Sequence, residues 1–324
     1  MSSKVITIIS ALGIILGICL YKQMAPQKKS CQITIGILQT ASHPALDQVK
    51  KGFIDELTSL TDGKIDFIIQ NGEGSLPQIQ SIAANYHAHK KVQAVFAIAT
   101  PAVQAITKYE KEKPIFIAAV SEPESLGLNQ NTNVCGTTDR VDTDKQSKLI
   151  KELLPLTQRV AILYNPGESN SVATVKKMES SLKKHSMSSF LVGINLESEI
   201  SMAVISASRK SDLLLIPADN LLVGAMPLVA YEALKNKTPL IVSDIPSVSK
   251  GALAATGADY RDLGKQTAQL AYQVLIEGKT PNEVGIQDPL YTKTVIQQKC
   301  IDSLQIALPD SQNYEIVGKQ EMVR

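Results

Sequence analysis

The sequence predicts an α/β protein of two lobes, each a doubly wound parallel sheet, joined by a hinge. Three observations predict it. With 324 residues the chain is too long for one compact core of ordinary size. From Ile33 onward, short β-branched runs without clean polar alternation are separated by helix-length stretches, the mark of parallel strands covered on both faces. That alternation occurs twice, on either side of a break rich in Asn, Gly and Thr (NQNTNVCGTTD).

In the first half the candidate strands are Ile33–Leu38, Lys64–Gln70, Ala94–Ala99 and Pro114–Ala119, with Asn133–Thr138 read as a loop. Strands resume at Arg159–Tyr164, Phe190–Ile194, Asp212–Pro217 and Pro239–Ser243. Helical stretches fall between them at Ala45–Thr58, Leu76–His89, Ala102–Glu112, Thr143–Leu154, Asn170–Lys184, Glu199–Ser208 and Leu222–Lys235. Repeated β–α alternation implies right-handed crossovers and hence doubly wound sheets. The segment GALAATG (251–257), followed by a helix over Tyr260–Gly278, reads as a return to the first lobe. The expected division is 1–31 as an export segment and spacer, 32–136 plus 254–281 as the first lobe, and 137–253 plus 282–324 as the second.

Composition narrows the function. Hydrophobic content is 44% and charged content 20%, that of a well-packed protein rather than a disordered one. The formal net charge is +2, with Lys and Arg scattered, so no basic face for a nucleic acid is present. Aromatic content is 4% with no Trp, so any stacking on a ligand falls to Tyr or Phe. Of the four cysteines, none forms a CxxC pair or stands at metal-ligand spacing to a His, which argues against a zinc site. Cys135 reads as a small buried residue. Cys31 and Cys300 could pair in an oxidising compartment if their Cα atoms were close enough.

Residues Val5 to Leu20 form a nearly continuous apolar run between Lys4 and Lys22, and a Pro- and Lys-containing spacer follows. This is a signal-peptide or signal-anchor pattern, so the protein is expected to be exported and tethered to the membrane by that segment. Cys19 follows Leu16-Gly17-Ile18, which resembles the lipobox of bacterial lipoproteins, with Ile18 bulkier than the small residue usual there. An export segment in place of a helix-turn-helix excludes a transcriptional regulator of similar lobed fold.

In an open parallel sheet, ligands meet the loops at the carboxyl ends of strands, beside helix N-termini. Those loops supply Thr40, His43 and Pro44 after the first strand, Thr100 and Pro101 after the third, and Ser121 and Glu122 after the fourth. The second lobe supplies Asn165, Ser169, Asn170 and Ser171, then Asp219 and Asn220, then Asp244. Singly, each has an ordinary explanation as a helix cap or turn residue. As a set on facing edges of two lobes, they read as the walls of a ligand cleft. Enzyme signatures are missing: no GxSxG, no P-loop, no HExxH and no GxGxxG after the first strand. The four His, at 43, 87, 89 and 185, offer few triads, and His43 has no evident nucleophile beside it. No cofactor and no metal are expected.

The loops together resemble one family. IGILQTASHPALDQVKKGFIDEL, VFAIATPAVQAI, AAVSEPESLGL, NVCGTTD, VAILYNPGESNSV, LLLIPADN and GALAATGADYRDLGKQTAQLAYQVLIEG are similar to the ABC-importer substrate-binding proteins that include tryptophan- and tyrosine-binding members. The resemblance implies the type I periplasmic-binding-protein fold, two Rossmann-like lobes with three crossover strands. It implies a small solute, an amino acid and plausibly an aromatic one, delivered to a membrane permease with separate ATPase subunits. Many members carry Asp where this chain has Glu122. Thr100, the helix starting at Pro101, Ser169 and Ser171 would take a ligand carboxylate, and Asp219 or Asp244 its ammonium, with Asn165, Asn170 and Asn220 bridging. Two other readings compete: a ligand-sensing receptor for a signalling partner, and an extracytoplasmic α/β enzyme such as a racemase or hydrolase.

Overall fold

A computed structural model describes residues 33–128, 132–308 and 314–318. The apolar N-terminal run, Cys19 and Cys31 lie outside the described residues. Among those described, no helix is long and apolar enough to cross a membrane.

The first lobe begins with β1 (Ile33–Gln39), α1 (Pro44–Leu60), β2 (Ile65–Asn71), α2 (Leu76–Ala88), β3 (Val92–Ile98), α3 (Thr100–Tyr109), β4 (Ile115–Ala118) and β5 (Val134–Thr137). The chain then enters the second lobe with α4 (Thr143–Leu153), β6 (Arg159–Tyr164), α5 (Ser169–Lys184), β7 (Ser188–Gly193) and α6 (Ile200–Ser208). It continues with β8 (Leu213–Ile216), α7 (Asn220–Gly224), α8 (Met226–Lys235), β9 (Leu240–Val242) and β10 (Ala254–Ala258). Last come α9 (Tyr260–Leu275), α10 (Pro281–Val284), β11 (Ile286–Gln287), β12 (Thr292–Gln297), α11 (Gln298–Leu304) and β13 (Glu315–Val317).

Among the described residues these strands make two sheets. One is six-stranded, ordered β11-β5-β4-β3-β1-β2, and the other seven-stranded, ordered β13-β12-β10-β9-β8-β6-β7. Every pairing is parallel except β10 with β12. Strands β3, β4, β8 and β9 are buried along almost their whole length, as the unbroken apolar runs require of strands with helices on both faces.

The division between lobes differs from the expected one. The small-residue strand β10 pairs with β9 and β12, so the stretch from 254 belongs to the second sheet. The return to the first lobe comes with α9, and β11 then pairs with β5. The chain therefore crosses three times: 138–142, at Asp259, and 288–291. The expected loop at 133–138 contains β5, and Leu222–Lys235 is two helices meeting at Ala225.

Packing of α9 against α1 sets the site. A Cβ on Gly52 would lie 2.1 Å from the Arg261 carbonyl oxygen, and one on Gly264 would lie 2.1 Å from that of Val49. The two helices meet backbone to backbone through these glycines. That contact brings Tyr260, at the head of α9, to the cavity lined by residues at the head of α1. Around it, Phe53 stacks on Phe96 with centroids 3.9 Å apart in the core of the lobe.

Candidate functional site

Between the lobes, at the carboxyl ends of the strands, lies a narrow cavity. Its first-lobe wall is His43, Ala45, Leu46, Ala99, Ala119 and Ser121. The second lobe supplies Asn170, Ala218, Asp219, Asn220, Val223 and Asp244, and Asp139 and Tyr260 come from two of the crossovers.

The first-lobe wall is built from helix starts that depart from the usual capping rules. His43 holds the N-cap position of α1, yet its side chain makes no capping bond, where Ser, Thr, Asp or Asn would normally do so. Ala99 holds that position for α3 with φ 72° and ψ 160°, and Ala119 follows β4 with φ 56°. A non-glycine residue at positive φ costs of order 1–3 kcal/mol, and such strain concentrates at ligand sites. Alanine is small enough to line a narrow cavity from these positions. Thr40 fastens the arrangement: its hydroxyl donates to the Ile98 carbonyl at 2.9 Å and accepts from the Ala102 amide at 3.2 Å.

On the hinge side, Asp139 is buried and accepts from the Ser121 hydroxyl at 2.8 Å and the Tyr260 hydroxyl at 2.9 Å. Burial pushes its carboxyl up, against those two donors. Asp244 is buried too. One of its oxygens accepts from the Ser247 amide and hydroxyl, and the other has no partner. Burial, reinforced by the charge of Asp139, pushes Asp244 up to about 7.

Two more carboxylates organise the second-lobe wall. Asp219 takes the Asn165 amide (2.6 Å), the Ser171 hydroxyl (2.7 Å) and the Leu222 amide (3.1 Å), capping α7. Glu168 takes the Asn220 amide and side-chain Nδ2 (3.1 and 2.7 Å) and the Leu221 amide (3.2 Å). Burial raises both carboxyls. Asn170 donates Nδ2 to the Ala218 carbonyl at 2.7 Å, which leaves its Oδ1 as an acceptor.

Charge and hydrogen-bonding capacity are one-sided. Among the described residues, no Lys or Arg lines the cavity, whereas three Asp do. Three lining residues each carry a buried polar atom with no protein partner: His43 Nδ1, Asn170 Oδ1 and Asp244 Oδ1. An oxygen or ring nitrogen left unpaired in a closed site carries a desolvation cost that a ligand N–H or O–H removes.

Of the residues singled out in the sequence, His43, Ser121, Asn170, Asp219, Asn220 and Asp244 line this cavity. Thr40, Pro101, Asn165 and Ser169 instead line a wider groove at the cleft mouth, which Asn220 shares. Pro44, Thr100, Glu122 and Ser171 line neither. Pro44 and Thr100 open α1 and α3 as their first helical residues, Ser171 is spent on Asp219, and Glu122 is paired with Lys177. Sequence reasoning missed Asp139, Tyr260 and the alanines at 45, 99, 119 and 218. Asp139 closes the NVCGTTD segment just past β5, so it was findable once that segment was read as a strand. Ala99 and Ala119 carry no sequence signal, since their role rests on backbone angles. The paired thiols considered earlier are not both described; Cys300 is buried with its thiol against the Gly251 carbonyl.

A two-lobed α/β protein with a cavity between lobes that three crossovers join has the architecture of the type I periplasmic binding proteins. The chain belongs to the ABC transporter substrate binding protein family, whose model matches residues 34–315. It is 37% identical over 300 residues to a tyrosine-binding protein of Clostridioides difficile strain R20291, covering 90% of this chain and 86% of that one. Among solved structures it is similar to the ABC domain from Streptococcus pneumonia in complex with L-Trp, at 28% identity and TM-score 0.84, covering 88% and 100% of the two chains. It is also similar to the ligand-free, open structure of a substrate binding protein with adhesive properties from Clostridium difficile. There the identity is 32% and the TM-score 0.67, over 89% and 100% of the chains. The less similar sequence superposes better. In this chain the two lobes touch across the mouth of the cleft. Three bonds join their rims: His43 to Asn220, Gln104 to Ser169, and Glu122 to Lys177. Substrate-binding proteins of this family are extracytoplasmic and work with ABC transporter components.

Proposed function

We propose that the protein is the solute receptor of an ABC importer and binds one free amino acid, aromatic in side chain, in the interlobe cavity. One observation carries the reading: the cavity holds three unpartnered buried acceptors and three aspartates, with no basic side chain among the described residues. Its occupant must therefore bring donors and positive charge, and a primary ammonium brings three N–H and no acceptor. The ammonium sits against Asp244, with Asp139 beside it, and is completed by Asn170 and His43. The ligand carboxylate sits at the start of α1, where the Ala45 and Leu46 amides have no turn before them to bond. Ala99, Ala119, Val223 and Tyr260 enclose the side chain. The tyrosine-binding relative and the tryptophan-bound neighbour support an aromatic ligand. The N-terminal apolar run exports the receptor and holds it at the membrane, where the closed form docks on a permease served by separate ATPase subunits.

Closure is the working step. A ligand engaged by one lobe completes its contacts only when the other lobe arrives, so its binding energy shifts the hinge equilibrium. The chain contains no Trp, so the fluorescence of added L-tryptophan reports its own environment. Saturable blue-shifted emission, displaced by L-tyrosine, is the expected result. Unshifted emission, with no heat on titrating any L-amino acid, would remove the reading.

A further inference from the structure

We propose that His43 is a specificity-determining acceptor whose single proton is placed by the opposite lobe. The inference rests on the amino-acid reading above and names what one wall of the cavity selects. His43 stands in the first lobe, and its Nε2 lies 3.2 Å from Oδ1 of Asn220 in the second. The direction of that bond is decided two residues away. Asn220 Nδ2 lies 2.7 Å from Glu168 Oε2 and can only donate to it. Protonation of Glu168 would not reverse this, because the proton would go to Oε1, the oxygen with fewer donors. Asn220 therefore presents Oδ1 toward His43, and Oδ1 can only accept. His43 must donate from Nε2.

A neutral imidazole that donates from Nε2 carries its lone pair on Nδ1. That nitrogen is buried, lacks any protein partner and belongs to a residue lining the cavity. The ring is kept neutral by its burial; Asn220 and the Asp47 carboxylate on its own helix oppose this less strongly. The remaining charged groups on the cavity, Asp139, Asp219 and Asp244, are acceptors with no proton to lend when ionised. An N–H or O–H on the ligand is what this nitrogen lacks.

The relay crosses the cleft, so it exists only when the lobes meet. In the open form Asn220 is withdrawn and His43 is free to hold its proton on either nitrogen. Closure fixes the tautomer at the moment the ligand is enclosed, and only a ligand with a donor at that point pairs both ring nitrogens. Two ligand groups could supply it, the α-ammonium or a polar hydrogen on the side chain such as a phenol O–H.

Titration of the full chain with L-tyrosine, L-phenylalanine and 3-(4-hydroxyphenyl)propionic acid tests the proposal, using wild type and His43→Leu. The variant is expected to lose about 10- to 100-fold in affinity for L-tyrosine, the range for a hydrogen bond involving a charged or buried polar group. One selectivity ratio should collapse with it. Loss of preference over the deaminated acid identifies the ammonium as donor, and loss of preference over phenylalanine identifies the phenol; either upholds the proposal. Equal losses for all three ligands, or none, overturn it. Nitrogen-15 spectra of the imidazoles supply a readout independent of the variant's folding. The tyrosine-saturated wild type should show His43 protonated on Nε2 alone, and Asn220→Leu should release that restriction. An Nδ1–H tautomer or an imidazolium in the saturated wild type overturns the proposal. If the wild type binds none of the three ligands, the amino-acid reading fails and takes this one with it. If it binds but fails the ratio test, this one fails alone.

Discussion

Lys177 on α5 reaches across the cleft and donates to both carboxylate oxygens of Glu122, at 2.7 and 2.5 Å. Glu122 is buried beside the first-lobe rim and Lys177 is half-exposed, so the pair exists only while the lobes are together. It is a latch on closure and lies outside the cavity. Lys177→Met should therefore weaken ligand binding by more than the roughly two- to fivefold of a solvent-exposed ion pair, because it leaves the buried Glu122 carboxylate without its partner. The loss should appear in the off-rate, since opening is what the pair resists. Stopped-flow dissociation at low and high salt checks this: the wild-type off-rate should rise with salt and the variant's should not.

Asp244 gives the binding reaction a pH dependence. Its folded-state carboxyl is pushed up to about 7, above the unfolded value of about 3.9, so the ligand-free fold binds more protons than the unfolded chain between those limits. Stability of the ligand-free protein from this group is full below about pH 4 and is lost as pH rises toward 7. A ligand ammonium favours the charged carboxylate and expels the proton. Affinity should then rise with pH, by up to about tenfold per unit below 7, and level off above it. Calorimetry at pH 6 in buffers of different ionisation enthalpy should show proton release on binding. Asp244→Asn should abolish most of that release along with most of the affinity.

The backbone at Ala99 makes a separate prediction. Positive φ is hardest on β-branched side chains, and here the Cβ borders the cavity. Ala99→Val should cost about 2 kcal/mol or more of stability and block the ligand, whereas Ala99→Gly should keep both within about 1 kcal/mol. Chemical denaturation with and without ligand separates the two effects.

Gly264→Ala tests the docking of α9. The new methyl would meet the Val49 carbonyl oxygen at 2.1 Å, which backbone cannot yield cheaply, so the helices must part. Destabilisation of about 1–3 kcal/mol is expected from overpacking, with loss of ligand affinity because Tyr260 moves with the helix. A variant as stable as wild type that still loses binding would contradict this origin for the effect.

How far the sequence carries is visible in particular elements. Strands β3, β4, β6 and β8 are built on short apolar runs with one packing solution, and a reader of the sequence finds each within about two residues. Strand β10 is AATGA, which reads as part of a return to the first lobe because nothing in its small residues signals that β9 and β12 flank it. Its misreading moved the lobe boundary. At the cleft, polar residues after strands were legible as a set, yet the set could not be sorted. His43 and Asp244 face the cavity while Thr100 and Ser171 serve the scaffold, and only burial and partners tell them apart. Glu122 shows the same limit, since its partner lies 55 residues along the chain on the other lobe.

A thermal-shift screen of wild type and Asp244→Asn against the L-amino acids reaches the central claim most directly. A ligand at a hundredfold over its dissociation constant adds about 2.7 kcal/mol to the native state. Tyrosine or tryptophan should raise the wild-type melting temperature, and the same addition should move Asp244→Asn little. If no amino acid shifts the wild type, or if Asp244→Asn responds as fully as wild type does, an amino acid is not held by its ammonium in this cavity.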